Sequence, residues 1–490
     1  MIMQNYLNKH RTILLWITAI AATMAILWFE RDVFWRPYND EGQESLVSFA
    51  AHDFAITNYA GFNKNPIVAH RVYLPNGTIV AYNHWPNGFF ATLALAIKIF
   101  GNSETTGRSV AIAFVLAGAI LMLLAVNKTR NSFLMFLALP LFFLNPAGRD
   151  SIPFVFADAA LFFFIGLTFF LTSRHDCGKI YKYLFRIAIF VSMLFSQLII
   201  PYFFVLIIVK YIWNRDKKEA AIDLILLLLA FSLILIGLSY DGSSFASGFR
   251  SLYQIFLHRS SLDVINQESV SFVGIFKVLI WELHGDFNWP TRSFLYAVFS
   301  LVAITSFIIA SWIILIKKRD WLAASLLPAF VLFALILKNY VGAHHFTRLP
   351  FVFFSIITVC MAMDCVLTAI CEKISRPVFL TYSRMAAIVV LSWWGYSFLS
   401  IPQWYNKVYD DIDNTRNTLA QITSRNDNQL LLVSCTAMEF RYDRTKFHNP
   451  EDRIAGFYLD EYIIRATKTD NAPTQKCLID LDNQTVLAEK

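Results

Sequence analysis

Two adjacent carboxylates, Asp40 and Glu41, follow the first apolar run of the chain in the stretch 35–42, which reads WRPYNDEG. A carboxylate within hydrogen-bond reach of a hydroxyl group can accept its proton and so act as a general base. A solvated loop end would contain the same residues and is the alternative. The flanking aromatics and Pro37, with the helix-like stretch 44–55 that follows, favour the chemical interpretation.

A third acidic residue, Asp158, stands near the beginning of the apolar run 153–172, a short distance after Arg149. Arginine suits a phosphate group because its planar fork can pair with two phosphate oxygens at once. Asp158 could instead simply complement the N-terminus of the helix that it begins. These two residues are therefore candidates for a site, and Asp158 keeps a structural alternative.

Three more basic side chains are candidates for holding an anion: Arg348 and the adjacent pair His258 and Arg259. Arg348 could also be an ordinary interfacial anchor that precedes a membrane span. His258 and Arg259 could belong to a solvated loop. The sequence contains no Cys/His spacing of the kind that holds a metal ion, so no metal ligand is assigned.

Composition defines the surroundings of these residues. The chain has 490 residues, of which 57% are hydrophobic and 16% charged, and its mean hydropathy is +0.50. Soluble proteins carry roughly 25% charged residues, so this composition is typical of a membrane protein. The net charge of +7 lies mostly in short loops between apolar runs, which indicates membrane topology and excludes a nucleic-acid partner.

Apolar runs long enough to be considered as membrane spans occur throughout the first 400 residues. They are found at 12–29, 86–100, 109–126, 131–146, 153–172, 184–213, 220–239, 292–316, 321–337, 348–371 and 384–400. A helix needs about 20 residues to cross a bilayer. The run 184–213 is too long for one helix and contains Pro201, so it predicts two short helices joined by a turn near 197–201. The run 86–100 is short and contains Lys98, so it predicts a helix lying in the interface.

The basic residues then decide the sidedness. With 86–100 in the interface, every cytoplasmic segment carries Lys or Arg, as the positive-inside rule requires. Those segments are 1–11, 127–131, 173–183, 214–219, 317–320 and 372–383. The sequence therefore predicts eleven spans within a membrane module at 1–400, with the N-terminus in the cytoplasm. The first span lacks a cleavage site and is expected to remain as a signal anchor.

Two long loops and a tail lie on the outer side in this topology, at 30–106, 240–291 and 401–490. The loops are expected to contain interfacial helices at 44–55, 86–100 and 271–284, because structureless loops of this length are uncommon. Long outer loops suit chemistry at the outer surface, since transporters usually bind their substrates near the middle of the membrane.

The tail 401–490 is richer in charge and predicts a small extracytoplasmic α/β domain. A helix is expected at 404–422 and strands at 430–434 and 477–481. Cys435 and Cys477 both fall in this tail, and a disulfide between them would require that the domain faces an oxidising compartment.

These features, taken in order along the chain, resemble the GT-C superfamily of membrane glycosyltransferases, which includes protein O-mannosyltransferases and the lipid A aminoarabinose transferase. The resemblance covers roughly residues 12–350 and depends on the order, spacing and sidedness of short motifs. The motifs are the Asp40-Glu41 pair, the segment 84–90 (HWPNGFF) leading to Phe100-Gly101, the triplet Gly107-Arg108-Ser109, the segment 145–150 (NPAGRD) before Asp158, the paired short spans at 184–213, and the outer segment 344–350 (HHFTRLP). Gln197 is a departure, because many relatives carry a lysine in that region.

The resemblance implies an all-α polytopic membrane protein of the GT-C fold that takes a sugar from a polyprenyl-phosphate donor. The acceptor would be an extracytoplasmic glycan, lipopolysaccharide or protein, and the location a bacterial inner membrane with the active site and C-terminus outside. Asp40 would activate the acceptor hydroxyl for in-line attack with inversion. Glu41 would orient acceptor or sugar, and Asp158 would complete the acidic cluster.

The same resemblance assigns the basic residues to the donor phosphate. Arg348 is the first choice and Arg149 the second, with His258 and Arg259 as further contacts, because a fixed cation stabilises the charge that grows on the leaving phosphate. Some relatives use a divalent metal ion and others do not, so metal dependence stays open and no cofactor is assigned.

Two other functions remain open at this stage. A transporter or flippase for a lipid-linked sugar would be favoured by intramembrane charges lining a path. The predicted spans are nearly bare of charge, apart from residues near their ends such as Asp223 and Asp364. A non-catalytic protein that scaffolds envelope assembly through its tail would be insensitive to the loss of Asp40.

Overall fold

The computed structural model describes most of the first 400 residues and parts of the tail. The described residues are 2–35, 43–56, 71–73, 79–81, 86–129, 134–174, 177–214, 217–239, 245–260, 274–275, 279, 294–374, 382–389, 414–415, 417–419, 421–422, 424–425, 435–441 and 475–489. Up to residue 389 they are almost entirely helical, as expected of a chain that must satisfy its backbone hydrogen bonds inside a bilayer.

The helices of the first half follow the apolar runs of the sequence closely. They are α1 (Ile2–Phe29), α2 (Arg31–Phe34), α3 (Gln43–Ile56), α4 (Gly88–Phe100), α5 (Glu104–Thr129), α6 (Ala138–Leu144), α7 (Pro146–Ser151) and α8 (Ala157–Ser173). A 3₁₀ segment at Leu134–Leu137 leads into α6. Helices are present at the predicted positions 44–55 and 86–100, as α3 and α4, and their location in the interface stays a prediction.

The second half continues as a helical bundle. Its helices are α9 (Lys179–Met193), α10 (Ile200–Asn214), α11 (Lys217–Ser239), α12 (Phe245–Ser260), α13 (Phe294–Lys317), α14 (Trp321–Ile336), α15 (Lys338–Ala343) and α16 (Leu349–Ile374). Residues 382–389 are also helical. The third expected interfacial helix, at 271–284, lies mostly outside the described residues.

The run 184–213 is broken in the way that its length and Pro201 predicted. Helices α9 and α10 are separated by a turn that includes a 3₁₀ segment at Gln197–Ile199. The N–H of Gly88, at the start of α4, donates to the carbonyl of Leu194 in this turn at 2.8 Å. The turn near 197–201 and the helix at 86–100 were both predicted on the outer side of the membrane. The hydrogen bond shows that they are in contact.

Three of the described helices are long and apolar enough to cross a membrane, at 104–127, 217–239 and 346–373. Seven shorter apolar helices accompany them, at 16–29, 88–100, 134–144, 157–173, 197–212, 305–317 and 321–336. The membrane character of the chain follows from these helices. The count of eleven spans and their sidedness stay predictions.

Helices α5 and α8 pack backbone against backbone through two glycines. A Cβ added at Gly166 would lie 2.1 Å from the carbonyl oxygen of Gly118, and one added at Gly118 would lie 2.7 Å from the Cα of Phe163. Small residues allow this approach, and van der Waals packing of this kind holds helices together where lipid removes the hydrophobic driving force. The contact fixes the position of α8 in the bundle.

A cluster of charges ties α9, α10 and α11 together at the end predicted to be cytoplasmic. Arg186 donates through Nε to Asp223 at 2.9 Å and also pairs with Glu219. The ammonium group of Lys210 binds the second Asp223 oxygen and lies 4.1 Å from the centroid of the Phe185 ring. Asp223 and Lys210 are buried. Their attraction offsets the free energy required to remove both charges from water, which would be unfavourable for either charge without its partner.

The described part of the tail contains a three-stranded sheet, while a short hairpin of β1 (Arg71–Tyr73) and β2 (Ile79–Ala81) lies in the first loop. Strand β3 (Cys435–Arg441) runs parallel to β4 (Gln475–Asp480), which pairs antiparallel with β5 (Thr485–Glu489). Strand β4 overlaps the strand expected at 477–481, whereas the one expected at 430–434 lies outside the described residues.

Cys477 is disulfide-bonded, whereas Cys177, Cys360, Cys365 and Cys371 are free thiols. The side chain of Cys435 is not among those described. The compartment that the tail faces stays a prediction.

The glycine contact between α5 and α8 generates a first prediction. Gly166→Ala forces a methyl group against the backbone of α5, and overpacking of this kind costs about 1–3 kcal/mol. We expect a lower midpoint of thermal unfolding in detergent, with the fraction of folded protein at each temperature measured by size-exclusion chromatography. Ala113→Val, which adds more volume at an exposed position on α5, is the control and should leave the midpoint unchanged. Equal midpoints for Gly166→Ala and wild type would mean that the helices can separate without cost.

The free thiols allow the predicted sidedness to be tested. Cys177 is exposed and lies in the predicted cytoplasmic segment 173–183. In intact spheroplasts it should react with a membrane-permeant maleimide and resist an impermeant one. The double variant Cys177→Ser/Ala246→Cys places an exposed thiol on α12, and that thiol should react with both reagents. The opposite labelling pattern would show that the topology is the reverse of the predicted one.

Candidate functional site

Asp158 lies in the first turn of α8, at the end of the bundle predicted to be outer. The backbone before it is extended at Phe156, so the helix begins just before the carboxylate. Asp158 is only 6% exposed. Its Oδ2 accepts a hydrogen bond from the hydroxyl of Tyr340 at 2.9 Å, while its buried Oδ1 has no hydrogen-bond partner among the described residues. Buried carboxylate oxygens are normally satisfied, so this oxygen requires an explanation.

Tyr340 connects the carboxylate to a third element of the bundle. It lies in α15, against which α12 packs. The guanidinium carbon of Arg259, on α12, lies 4.7 Å from the centroid of the Tyr340 ring. A cation over an aromatic face at this distance is attracted by the quadrupole of the ring. Because Tyr340 binds Asp158 and contacts Arg259, helices α8, α12 and α15 meet around one carboxylate.

An aromatic stack fixes the segment that follows α15. Phe346 lies parallel to Phe154 with ring centroids 4.2 Å apart, and it also contacts Phe156 at 5.2 Å. His344 stacks on Phe346 at 5.1 Å and meets Tyr340 edge-on at 5.0 Å. The stack therefore joins the chain before α8 to the chain after α15, and holds Tyr340 in register with Asp158.

Arg348 lies in the 3₁₀ segment His345–Arg348 and is 8% exposed. Its Nε donates to the carbonyl of Val341 at 2.9 Å, and a terminal nitrogen donates to the carbonyl of Gly342 at 2.7 Å. These carbonyls belong to the last turn of α15, where a cation is favourable. Arg348 thus holds α15 in place, and its contact with a donor phosphate stays a prediction.

Arg149 is buried in the last turn of α7 and forms an ion pair with the half-buried Glu30, just after α1. Helix α7 packs against both the 3₁₀ segment 345–348 and α16. Arg149 is thereby close to the same end of the bundle as Arg348. A carboxylate partner within the protein supports a structural role and leaves the phosphate-binding role as a prediction.

Tyr202, on α10, adds a second buried polar group. Its side chain is fully buried, and its hydroxyl has no hydrogen-bond partner among the described residues. Helix α10 packs against α8, so this hydroxyl and the Asp158 carboxylate belong to neighbouring helices.

The structure brings together part of the predicted site. Asp158 and Arg259 share the Tyr340 contact, and Arg348 holds the helix that carries Tyr340. Asp40 and Glu41 lie outside the described residues, as does the side chain of His258. Within the part of the chain that is described, no group of three or more His, Cys, Asp or Glu side chains could hold a metal ion.

Three residues of this region had not been singled out from the sequence. Tyr340 stands eight positions before Arg348 in the same predicted outer segment, Glu30 directly follows the first span, and Tyr202 follows Pro201. Each signal is positional only, because a tyrosine or a glutamate near a span end has many ordinary explanations. Their partners are distant in sequence, so only the fold pairs them.

The arrangement can bind a polar group next to a cation. A hydroxyl that donates to Asp158 Oδ1 would satisfy the oxygen that the described residues leave without a partner. Arg259, which is half-buried and lies over the Tyr340 ring, suits an anion such as phosphate. The site therefore fits a ligand that carries both hydroxyl groups and negative charge.

Comparisons with known proteins give likenesses of fold. No protein-family model matches the chain, and no curated protein matches it. Among solved structures, the chain is similar to ArnT from Cupriavidus metallidurans bound to undecaprenyl phosphate, with a TM-score of 0.49 and 12% identity over 93% of this chain and 76% of that one. The apo form of that protein gives a TM-score of 0.47 and 12% identity over 94% and 76% of the two chains.

The oligosaccharyltransferase of Archaeoglobus fulgidus in its apo form is also similar, with a TM-score of 0.48 and 11% identity over 84% of this chain and 59% of that one. Both proteins are GT-C fold enzymes, the superfamily that the sequence motifs of this chain resemble. At these TM-scores and identities the likenesses assign no residue role and no substrate to this chain.

The ion pair between Arg149 and Glu30 generates a prediction about stability. Glu30→Gln leaves a buried arginine without its carboxylate, and breaking a buried pair costs about 3 kcal/mol. We expect a clearly lower midpoint of thermal unfolding. Asp32→Asn is the matched control, because the Asp32 side chain is 95% exposed and its loss should change little. Equal midpoints for the two variants would show that Arg149 does not depend on Glu30.

Proposed function

We propose that this protein is a membrane glycosyltransferase that moves a monosaccharide from a polyprenyl-phosphate donor to an extracytoplasmic acceptor. The observation that carries the proposal is the meeting of Asp158, Arg259 and Tyr340, from three separate segments, at the predicted outer end of the bundle. A carboxylate oxygen in need of a donor and an adjacent arginine match a sugar and a phosphate. The sequence resemblance to GT-C enzymes points to the same chemistry.

The reaction exchanges one bond at the anomeric carbon of the sugar. The acceptor hydroxyl loses its proton to a carboxylate, its oxygen attacks the anomeric carbon, and the bond from that carbon to the phosphate oxygen breaks. The bonding electrons leave with the polyprenyl phosphate, and in-line attack inverts the anomeric configuration. We assign the proton-accepting carboxylate to Asp40 on the evidence of the sequence, with Glu41 orienting acceptor or sugar.

The cations serve the leaving group. Phosphate leaves as a stable anion, so a strong general acid is unnecessary, and a fixed positive charge lowers the barrier. Arg259 is the described arginine that best fits this role, since it is half-buried and lies over the Tyr340 ring. Arg348 and Arg149 supply positive charge nearby, while their guanidinium groups also bind partners within the protein.

Paired charges argue against the transporter alternative. A transport path through the membrane needs polar or charged groups that can receive the substrate. In the described spans, the buried charges of Lys210 and Asp223 bind each other at the predicted cytoplasmic end. Asp364 likewise binds Arg384 at 2.8 Å. Charges engaged in this way stabilise the bundle and line no path.

Purified protein in lipid, offered a panel of polyprenyl-phosphate monosaccharides, tests the proposed function. We expect wild type to release polyprenyl phosphate slowly, with water in place of the acceptor, and Asp40→Asn to release at least about a hundredfold less because it lacks the base. Asp32→Asn, an exposed carboxylate eight residues earlier in the same region, is the matched control and should behave as wild type.

The outcomes separate the alternatives. Release by wild type and by Asp32→Asn alone would establish a lipid-donor transferase and identify its sugar. Equal release by Asp40→Asn would remove Asp40 as the base. If no donor reacts in the presence of extracted envelope glycans, while a labelled lipid-linked sugar crosses the bilayer of proteoliposomes, the flippase alternative replaces the enzyme.

A further inference from the structure

We propose that Tyr340 is a positioning residue for Asp158, and that Arg259 links the donor phosphate to this carboxylate through the Tyr340 ring. This inference rests on the proposed function and goes beyond it in one respect. It predicts that phosphate binding and the orientation of the sugar-facing carboxylate depend on the same guanidinium group. The positioning role of Tyr340 does not follow from the sequence motifs, which do not include this residue.

The two carboxylate oxygens of Asp158 have different surroundings. Oδ2 receives the Tyr340 hydroxyl at 2.9 Å, which fixes the rotation of the carboxylate about its last bond. Oδ1 then points to the one direction in which the described residues offer it no hydrogen-bond donor. A substrate hydroxyl is the kind of group that would complete its hydrogen bonding.

An arginine side chain can bind in two ways. Its flat face stacks on aromatic rings, while its N–H donors lie in the plane of the group and point outward. Arg259 uses its face on the Tyr340 ring, 4.7 Å from the centroid. Its N–H edge is the part that pairs with phosphate oxygens, so one guanidinium can bind the phosphate and the ring together.

The Tyr340 side chain is held in place by its surroundings. Tyr340 is 4% exposed, and His344 packs edge-on against its ring at 5.0 Å. Helix α15 is held at its C-terminal end by Arg348, which binds the carbonyls of Val341 and Gly342. The ring therefore has little room to move, and the guanidinium group of Arg259 lies over its face.

A double-mutant cycle tests the link. Wild type, Tyr340→Phe, Arg259→Gln and the double variant are compared in lipid, using the donor that wild type turns over, and kcat and KM are measured for release of polyprenyl phosphate. Tyr340→Phe keeps the ring and removes the hydroxyl, so kcat should fall about tenfold while KM changes less than about twofold. Arg259→Gln should raise KM at least about fivefold and also lower kcat.

The decisive comparison is the double variant. If Arg259 acts on Asp158 through Tyr340, the two losses of kcat should be less than multiplicative in the double variant, because only the leaving-group part of the Arg259 effect remains once the hydroxyl is absent, while the increase in KM should persist. Independent effects on kcat that multiply in the double variant would overturn the link. A rise in KM without loss of kcat in Tyr340→Phe would show that Tyr340 binds the donor instead of positioning the carboxylate.

Two controls separate this link from general damage and from failure of the proposed function. Tyr253→Phe makes the same substitution at an exposed tyrosine on α12 and should leave both constants unchanged. Thermal midpoints check that each variant is folded, and Arg259→Gln, at a half-buried position, gives a second reading if Tyr340→Phe is unstable. Absence of any turnover by wild type would overturn both proposals, whereas turnover with multiplicative effects would overturn only the link.

Discussion

The contact between Gly118 and Gly166 is the constraint on which the described architecture depends. In a bilayer, helices gain little by hiding apolar surface from one another, so close packing must hold them together. These two glycines bring the backbones of α5 and α8 into direct contact, and the flanking phenylalanines complete the packing. Because α8 is held so firmly, the carboxylate in its first turn has a defined position, and the groups around Asp158 can be arranged against it.

The buried polar groups at the two ends of the bundle differ in how completely they are hydrogen-bonded. At the predicted cytoplasmic end, Arg186 and Lys210 share both oxygens of Asp223, and the result is a cross-link between helices. At the opposite end, one oxygen of Asp158 and the hydroxyl of Tyr202 lack partners among the described residues. A buried polar atom that lacks a hydrogen bond lowers the stability of the fold. Such atoms call for an explanation, and a ligand that completes the hydrogen bonding is one.

Much of this fold could be predicted from the sequence, because the local composition of the chain indicates where membrane helices form. The break at Pro201, the interfacial helix α4 and the position of Asp158 at a helix start all depend on residues near each other in the chain. The contacts that define the candidate site do not. Tyr340 and Asp158 are 182 positions apart, and Arg149 and Glu30 are 119 apart. Such pairs depend on how helices assemble, and hydropathy contains no information about that assembly. The assignment of Arg348 to a phosphate illustrates the same limit, since its bonds to the end of α15 arise only in the folded chain.

The short helices α9 and α10 have a consequence for the surrounding lipid. Each has 15 residues, which is about 22 Å of helix, while the hydrocarbon core of a bilayer is about 30 Å thick. Both helices expose apolar side chains, such as Ile187 and Ile208, and a bilayer can accommodate helices this short by becoming thinner beside them. The turn between them is bonded to the first residue of α4 at 2.8 Å, with no room for a side chain at Gly88. Thinning of the bilayer beside α9 and α10 would therefore also set the depth of α4, at the end of the bundle predicted to be outer.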